Sequence, residues 1–260
     1  MLIAITRPVS ASLAHCELTH LTREPIDVAR AVVQHAAYER IIASLGVTLV
    51  RVNGEPDLPD AVFIEDTAIV LDEVAVITRP GAATRRAETA AVAGVLAAYR
   101  PLQHVTPEAT LDGGDVLRVG RTLYVGRSGR SNAHGIEQLR AFVAPFEYRV
   151  VAVEFTGCLH LKSAVTEVAD GALLLNPAWV SAHAFPDCEA ISVDGQEPYA
   201  ANALRVEDTV VYPADYPRTR DRLAKRGLRV AEVECGELAK AEGAVTCCSL
   251  VFESDTKRPA

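Results

Sequence analysis

Two adjacent thiols stand near the end of the chain, in Gly243-Ala244-Val245-Thr246-Cys247-Cys248-Ser249-Leu250-Val251-Phe252. On a short apolar strand opening after a glycine, a thiol is held rigidly at the mouth of the core, where a nucleophile belongs. Cysteine is equally a small apolar filler, so the pair alone decides nothing. Four other segments resemble this one: Leu58 to Thr67, Thr110 to Leu117, Gly157 to Ser163 and Ala200 to Leu204. Each carries a polar residue where an apolar one would pack better. The steps from Asp66 to Asp112, His160, Asn202 and Cys247 are 46, 48, 42 and 45 residues. Such a period marks one supersecondary unit used repeatedly about a common centre.

A thiol, an imidazole and carboxylates gathered at one centre offer nucleophilic attack with acid–base proton transfer. His160 lies between Leu159 and Leu161, and alternation turns it away from both. Asp112-Gly113-Gly114-Asp115 alone reads as a tight turn; the repeat sets Asp112 level with Asp66 and His160. Glu65 and Asp66 sit within Val62-Phe63-Ile64 and Ala68-Ile69-Val70. Two such acids buried without partners would cost on the order of several kcal/mol, so a cation is expected beside them.

The elements that must position these residues recur as strand, strand, helix, strand. Leu2 to Thr6 reads as a strand, residues 10 to 24 as a polar loop able to cover a site, and Asp27 as the start of a helix. That helix shows Val33, Ala37, Ile41 and Leu45 on one face and stops at Gly46. Val47 to Val52 is a strand. The first full unit has strands at Ala61 to Val70 and Glu73 to Thr78, a helix from Thr84 to Tyr99 with Val92, Leu96 and Tyr99 inward, and a strand near His104. The next has Asp115 to Val119, Thr122 to Val125, a helix after Asn132 carrying Ile136, Leu139 and Val143, and Arg149 to Phe155. A third runs from Leu161 through Ala172–Leu175 to Ala190–Val193 with a poorly marked helix. A fourth has strands from Ala203 and at Thr209 to Tyr212, a helix from Pro217 to Arg226, and Leu228 to Val233. Val245 to Glu253 opens a fifth that only the N-terminal elements can complete, which predicts an α/β ring of five units closed by both termini.

The unbroken composition of the 260 residues predicts one catalytic domain over 1–260, with 254–260 a loose tail. No apolar run is long enough to cross a bilayer, and Met1 leads into no signal peptide. A net charge of -8 argues against nucleic acid and suits a small cationic substrate. The six cysteines form no C-x-x-C pair and no metal-ligand spacing, as expected of reduced thiols in a cytoplasmic protein. A neighbouring pair favours two thiols over a strained disulfide.

Six strings in order resemble the dimethylarginine dimethylaminohydrolases of the guanidine-modifying, or pentein, superfamily. They are Ile26-Asp27-Val28-Ala29-Arg30-Ala31; Leu58-Pro59-Asp60 with Glu65-Asp66; Ile77-Thr78-Arg79-Pro80-Gly81 with Arg85-Arg86; Leu111 to Asp115; Leu159 to Ser163; and Thr246-Cys247-Cys248-Ser249. The resemblance spans nearly the whole chain and implies a five-bladed α/β propeller with pseudo-five-fold symmetry. It also implies Cys247 as nucleophile, through the superfamily pattern Cys-x-Ser, with His160 as general acid and base and Asp112 orienting the imidazole. Glu65 and Asp66 would meet the substrate guanidinium. Asp60, Arg85 and Arg130 would hold its amino-acid end, with Leu18 on the covering loop and Ala241 as further substrate contacts.

The implied reaction turns asymmetric dimethylarginine or monomethylarginine into L-citrulline and an alkylamine through a covalent thiouronium, with no cofactor and no metal. The partner is a small guanidino amino acid; a homodimer is compatible with the sequence, which leaves the oligomeric state open. Arginine deiminase is disfavoured because its type carries an inserted helical module, and agmatine deiminase because the arginines imply a substrate carboxylate. A non-catalytic binder of arginine-like cations would not need Cys247, His160 and Asp112 together. A zinc site on those three residues lacks the usual ligand spacing.

Overall fold

The computed structural model of the chain describes residues 1–255. It opens with β1 (Leu2–Thr6), α1 (Val28–Ser44) and β2 (Thr48–Arg51). Next come β3 (Ala68–Val70), β4 (Ala75–Ile77), α2 (Thr89–Leu96) and β5 (Leu102–His104). β6 (Val116–Val119), β7 (Thr122–Arg127), α3 (Ala133–Val143) and β8 (Arg149–Glu154) repeat that order. The third unit holds α4 (Leu161–Ala164), β9 (Val165–Ala169), β10 (Ala172–Leu175) and β11 (Glu189–Ser192). The fourth holds β12 (Leu204–Val206), β13 (Thr209–Pro213), α5 (Pro217–Lys225) and β14 (Arg229–Val233). α6 (Gly236–Ala239) and β15 (Leu250–Glu253) end the described chain.

These strands form five three-stranded sheets, each with one antiparallel and one parallel pairing about its middle strand. A parallel neighbour needs a long crossover, which is why the helix, where present, stands before the last strand of each unit. β1 pairs antiparallel with β15, Leu2 opposite Glu253 and Ile5 opposite Leu250, so the termini close the ring. Met1 and Ser254 exchange backbone bonds of 2.8 and 2.9 Å. The tail expected to be loose from 254 is therefore paired at its first residue, and residues 256–260 lie outside the described part.

Local chemistry fixes the helix starts. Asp27 accepts from the amide of Arg30, and Asn132 from that of Gly135, the usual N-cap arrangement. Apolar side chains fill the spaces between sheets and helices, as where Ile3, Ile5, Ile64, Val92, Leu96, Tyr99, Leu250 and Phe252 pack together.

Three expectations need correction. α1 turns Ala31, Gln34, Tyr38 and Ile42 inward, not the Val33 face, and Val33 is 64% exposed. Polar side chains are inside because they have partners: Glu39 accepts from Thr6 and Arg51, Gln34 from the amide of Glu237, and the Tyr38 hydroxyl meets Ser249. The third unit has a single 3-10 turn, Ala182–Ala184, in place of a helix, and the expected Thr84–Tyr99 helix is a 3-10 turn (Ala83–Glu88) leading into α2. The strands expected from Ala61 and Val245 begin only at Ala68 and Leu250. One-turn helices precede them, at Ile64–Thr67 and Thr246–Cys248.

Candidate active site

Those single turns hold or adjoin the residues singled out by the sequence. Ile64–Thr67, Gly113–Asp115, α4 and Thr246–Cys248 each lead directly or almost directly into the first strand of a unit, and they gather at the centre of the ring. Cys247 is thus on a helical turn, and strand alternation is not what separates it from Cys248. The turn achieves the same result: Cys247 is partly exposed and lines a cavity, while Cys248 is 1% exposed in the apolar core.

His160 directly precedes α4 and is buried between two carboxylates. Its Nε2 lies 3.0 Å from Asp112 Oδ2, and its Nδ1 lies 3.7 Å from Asp66 Oδ1. Asp112 is fixed in turn, accepting from the Gly81 amide at 2.8 Å while its own amide donates to Ser131 Oγ at 3.0 Å. The two glycines after Asp112 have a packing reason beyond turn formation. A Cβ on Gly114 would lie 2.7 Å from both Asp66 Oδ1 and His160 Nδ1, and one on Gly113 would lie 2.0 Å from the Glu65 carbonyl oxygen.

The cations demanded by Glu65 and Asp66 are present. Arg85 donates to Asp66 Oδ2 at 2.5 Å and to both oxygens of Glu88, with further bonds to the carbonyls of Asp60 and Phe63. Lys162 Nζ donates to Glu65 Oε1 at 2.5 Å, and Thr246 Oγ1 donates to Glu65 Oε2 at 2.8 Å. Asn202 braces the same place: its side chain donates to Thr246 Oγ1 and to the Lys162 carbonyl, and accepts from the Thr246 amide. Lys162, Thr246 and Asn202 therefore hold the turn that carries Cys247. Sequence reading gave them no role, although the 42- and 45-residue steps around Asn202 were a usable signal.

A cavity of about 10 Å³ lies at this centre, lined by Asp60, Asp66, Arg85, Arg130, His160, Ala241 and Cys247 together with Glu17, Phe63, Leu159 and Glu242. Of the expected residues, Asp112 stands behind His160 rather than in the lining. Glu65 faces a different cavity, and Leu18, on the 10–24 loop, packs half-buried against the core.

Burial and charge set the protonation states. Burial opposes a charge on His160, but Asp66, the hydrogen bond to Asp112 and Asp115 together raise it to about 9. Burial pushes the Cys247 thiol far up, and Glu65 and Asp66 add to it. Burial would raise Asp66, yet His160 and Arg85 hold it down at about 2. The resting pair near neutral pH is a thiol beside an imidazolium. Asp66, Asp112 and His160 have ligand atoms within 4.8 Å of one another. Each of those side chains is already held by the others or by Arg85 and backbone amides, an arrangement that fixes an imidazolium.

The family model described as N,N dimethylarginine dimethylhydrolase, eukaryotic, matches residues 17–175. A dimethylarginine dimethylaminohydrolase of Streptomyces coelicolor is 41% identical over 249 residues, 95% of each chain. That of Pseudomonas aeruginosa is 36% identical over 228 residues, 87% of this chain and 90% of the other. The chain belongs to the dimethylarginine dimethylaminohydrolase family. The dimethylarginine dimethylaminohydrolase of P. aeruginosa, solved as a cysteine-to-serine variant with citrulline, matches with a TM-score of 0.92 at 34% identity, covering 96% of this chain and 98% of that one. The N-terminal domain of ArgZ shares the fold, with a TM-score of 0.85 at 21% identity over 98% of both chains. The fold of this dimethylarginine dimethylaminohydrolase family member is the five-bladed α/β propeller.

Proposed function

We propose that the chain hydrolyses asymmetric dimethylarginine and monomethylarginine to L-citrulline and dimethylamine or methylamine, with Cys247 as nucleophile. One observation carries this reading: the Cys247 side chain shares a cavity with a histidine held between two carboxylates. Membership of the family supports it, as does the citrulline held by the Pseudomonas relative.

A guanidinium carbon is a poor electrophile, and an amine leaves it only as the protonated species. The substrate cation, arriving beside Asp66, offsets the negative field that keeps Cys247 protonated, so the thiol releases its proton to solvent on binding. The thiolate adds to the guanidinium carbon, and His160, already an imidazolium, protonates the departing alkylamine. A thiouronium remains on Cys247. The now neutral His160 takes a proton from water, which adds to the same carbon; the sulfur is expelled, the added hydroxyl gives up its proton to it, and citrulline and the Cys247 thiol result. Asp112 holds the imidazole in place throughout.

Asp60, Arg85, Arg130 and Ala241 line the cavity; the first three are assigned to the substrate's amino-acid end, with Leu18 and Ala241 as further contacts from the loop and from the segment before Cys247. We assign Glu65 a different task from the expected contact with the guanidinium, because both its oxygens are committed to Lys162 and Thr246. It fixes the nucleophile's turn. The reading carries a cytoplasmic location, supported by six free thiols, and a small-molecule partner rather than nucleic acid, supported by the acidic charge. No helix among the described residues is long and apolar enough to cross a membrane.

Citrulline formation from asymmetric dimethylarginine, monomethylarginine, arginine and agmatine tests the assignment. The methylated substrates should be turned over fastest and agmatine least, since it has no carboxylate for Arg130. Agmatine as the best substrate would overturn the reading, and binding of all four without citrulline would make the chain a binder.

A further inference from the structure

The 10–24 loop lies over the site; Leu13 and Cys16 root its first half in the core, and beyond them only Leu18 packs partly against it. No side chain among residues 17–25 is buried. A second cavity of about 160 Å³ opens beside it, lined by His20 and Leu21 together with Tyr199, Tyr216 and Cys235. Polar ties therefore hold this segment. The Glu17 amide donates to Asp60 Oδ2, Thr84 Oγ1 to Glu17 Oε1, and Arg130 Nη2 to Thr19 Oγ1. The densest tie is Glu242, whose carboxylate accepts three consecutive amides: Thr19 at 3.0 Å, His20 at 2.5 Å and Leu21 at 2.6 Å.

Glu242 is built for this place. Its backbone is left-handed, with φ of 58°, a conformation that is uncommon for glutamate and costly unless the surroundings enforce it. It follows Ala241 in the cavity wall, and Glu242 itself borders both cavities. The central cavity of about 10 Å³ has room for about one water. An arginine side chain does not fit it without movement of the lining, to which the loop contributes Glu17. Two of the ties, Asp60 and Arg130, belong to residues assigned to the substrate's amino-acid end, so substrate and loop share them. Glu242 has no such second duty.

We propose that Glu242 is a positioning residue: its carboxylate anchors the amides of Thr19, His20 and Leu21, and thereby sets Leu18 and the covering loop over the bound substrate. The anchoring stands on the geometry alone; its kinetic consequence rests on the proposed function. Removing the carboxylate loosens the loop, weakens the hold on substrate and leaves the chemical step largely intact.

The test is hydrogen–deuterium exchange on the full substrate-free chain, comparing the parent with Glu242→Gln and Glu242→Asn. Asparagine tolerates a left-handed backbone better than glutamate, so the second variant removes the carboxylate without adding backbone strain. Exchange in the peptide spanning 17–23 should accelerate about tenfold or more, with β1 and β7 unchanged. Kinetics on asymmetric dimethylarginine should show KM raised about fivefold or more with kcat within about twofold. Unchanged exchange at 17–23, or acceleration throughout the chain, would overturn the anchor. Faster loop exchange with KM unchanged, or with kcat alone falling, would overturn its positioning role. Exchange needs no turnover, so failure of the anchor and failure of the proposed reaction are separate results.

Discussion

Glu65 and Asp66 are neighbours in sequence and face opposite ends of the ring. Asp66 lines the enclosed cavity with Cys247 and His160, whereas Glu65 lines an open cavity of about 750 Å³ at the other end. Around the enclosed end, ionised groups are buried and strongly shifted: His160 up to about 9, Asp66 down to about 2. The open end is bordered by pairs in solvent, such as Arg118 with Asp72, whose side chains are 38% and 51% exposed. Charges of similar type thus do different things at the two ends. Where water is excluded they set protonation states; where it is present they contribute little to stability.

The sharpest way to break this contrast is at the enclosed end. Cys247→Ser should cut kcat by about a thousandfold or more, while Cys248→Ser keeps turnover within about an order of magnitude of the parent. Steady-state assays on both variants decide it. Asp112→Asn should cost on the order of a hundredfold to ten-thousandfold in kcat, because the imidazole loses the carboxylate that fixes its orientation and charge. The high-pH fall in activity, expected near 9 from His160, should move to lower pH in that variant.

The Glu65–Lys162 pair also lines the open cavity, but its side chains are largely buried. Lys162→Met leaves a buried carboxylate without its cation and should destabilise the fold by about 3–5 kcal/mol in denaturant titration. Adding Glu65→Gln should recover much of that loss. At the open end, Arg118→Ala should change stability by less than about 1 kcal/mol. A large effect there and a small one at Lys162 would reverse the comparison.

Stability should also follow pH in a direction set by the enclosed end. His160 is raised from 6.5 to about 9 on folding, so its contribution is fully present below pH 6.5 and is lost as pH rises through 9. Asp66 runs the other way: lowered from 3.8 to about 2, it contributes above pH 3.8, and that contribution is lost as pH falls through 2. Denaturant midpoints from pH 6 to 10 should fall in the parent and flatten in His160→Asn.

The spacing of polar residues made the ring legible, because each unit must bury its own apolar strands and helix yet contributes one turn to the centre. Two acids among apolar neighbours likewise announced that cations would be close. What they could not announce was which cations: Lys162 is 97 residues from Glu65, and no local pattern joins them. The strand expected at Cys247 was wrong because a single 3-10 turn has too few residues to show a helical period. α1 misled for a different reason. Val32 and Val33 are exposed while Glu39 and Gln34 are inside, where tertiary partners outweigh the apolar pattern. The covering loop was legible as polar, but its attachment to Glu242 depends on three backbone amides, which carry no side-chain signature.

The central claim is that Cys247 carries the reaction as a covalent thiouronium. Acid quenching during turnover of asymmetric dimethylarginine, followed by mass analysis of the peptide containing Cys247 and Cys248, tests it most directly. The prediction is an adduct equal to the substrate less dimethylamine, located on Cys247. Citrulline formed with Cys247 unmodified at every quench time, or an adduct on Cys248, would contradict it.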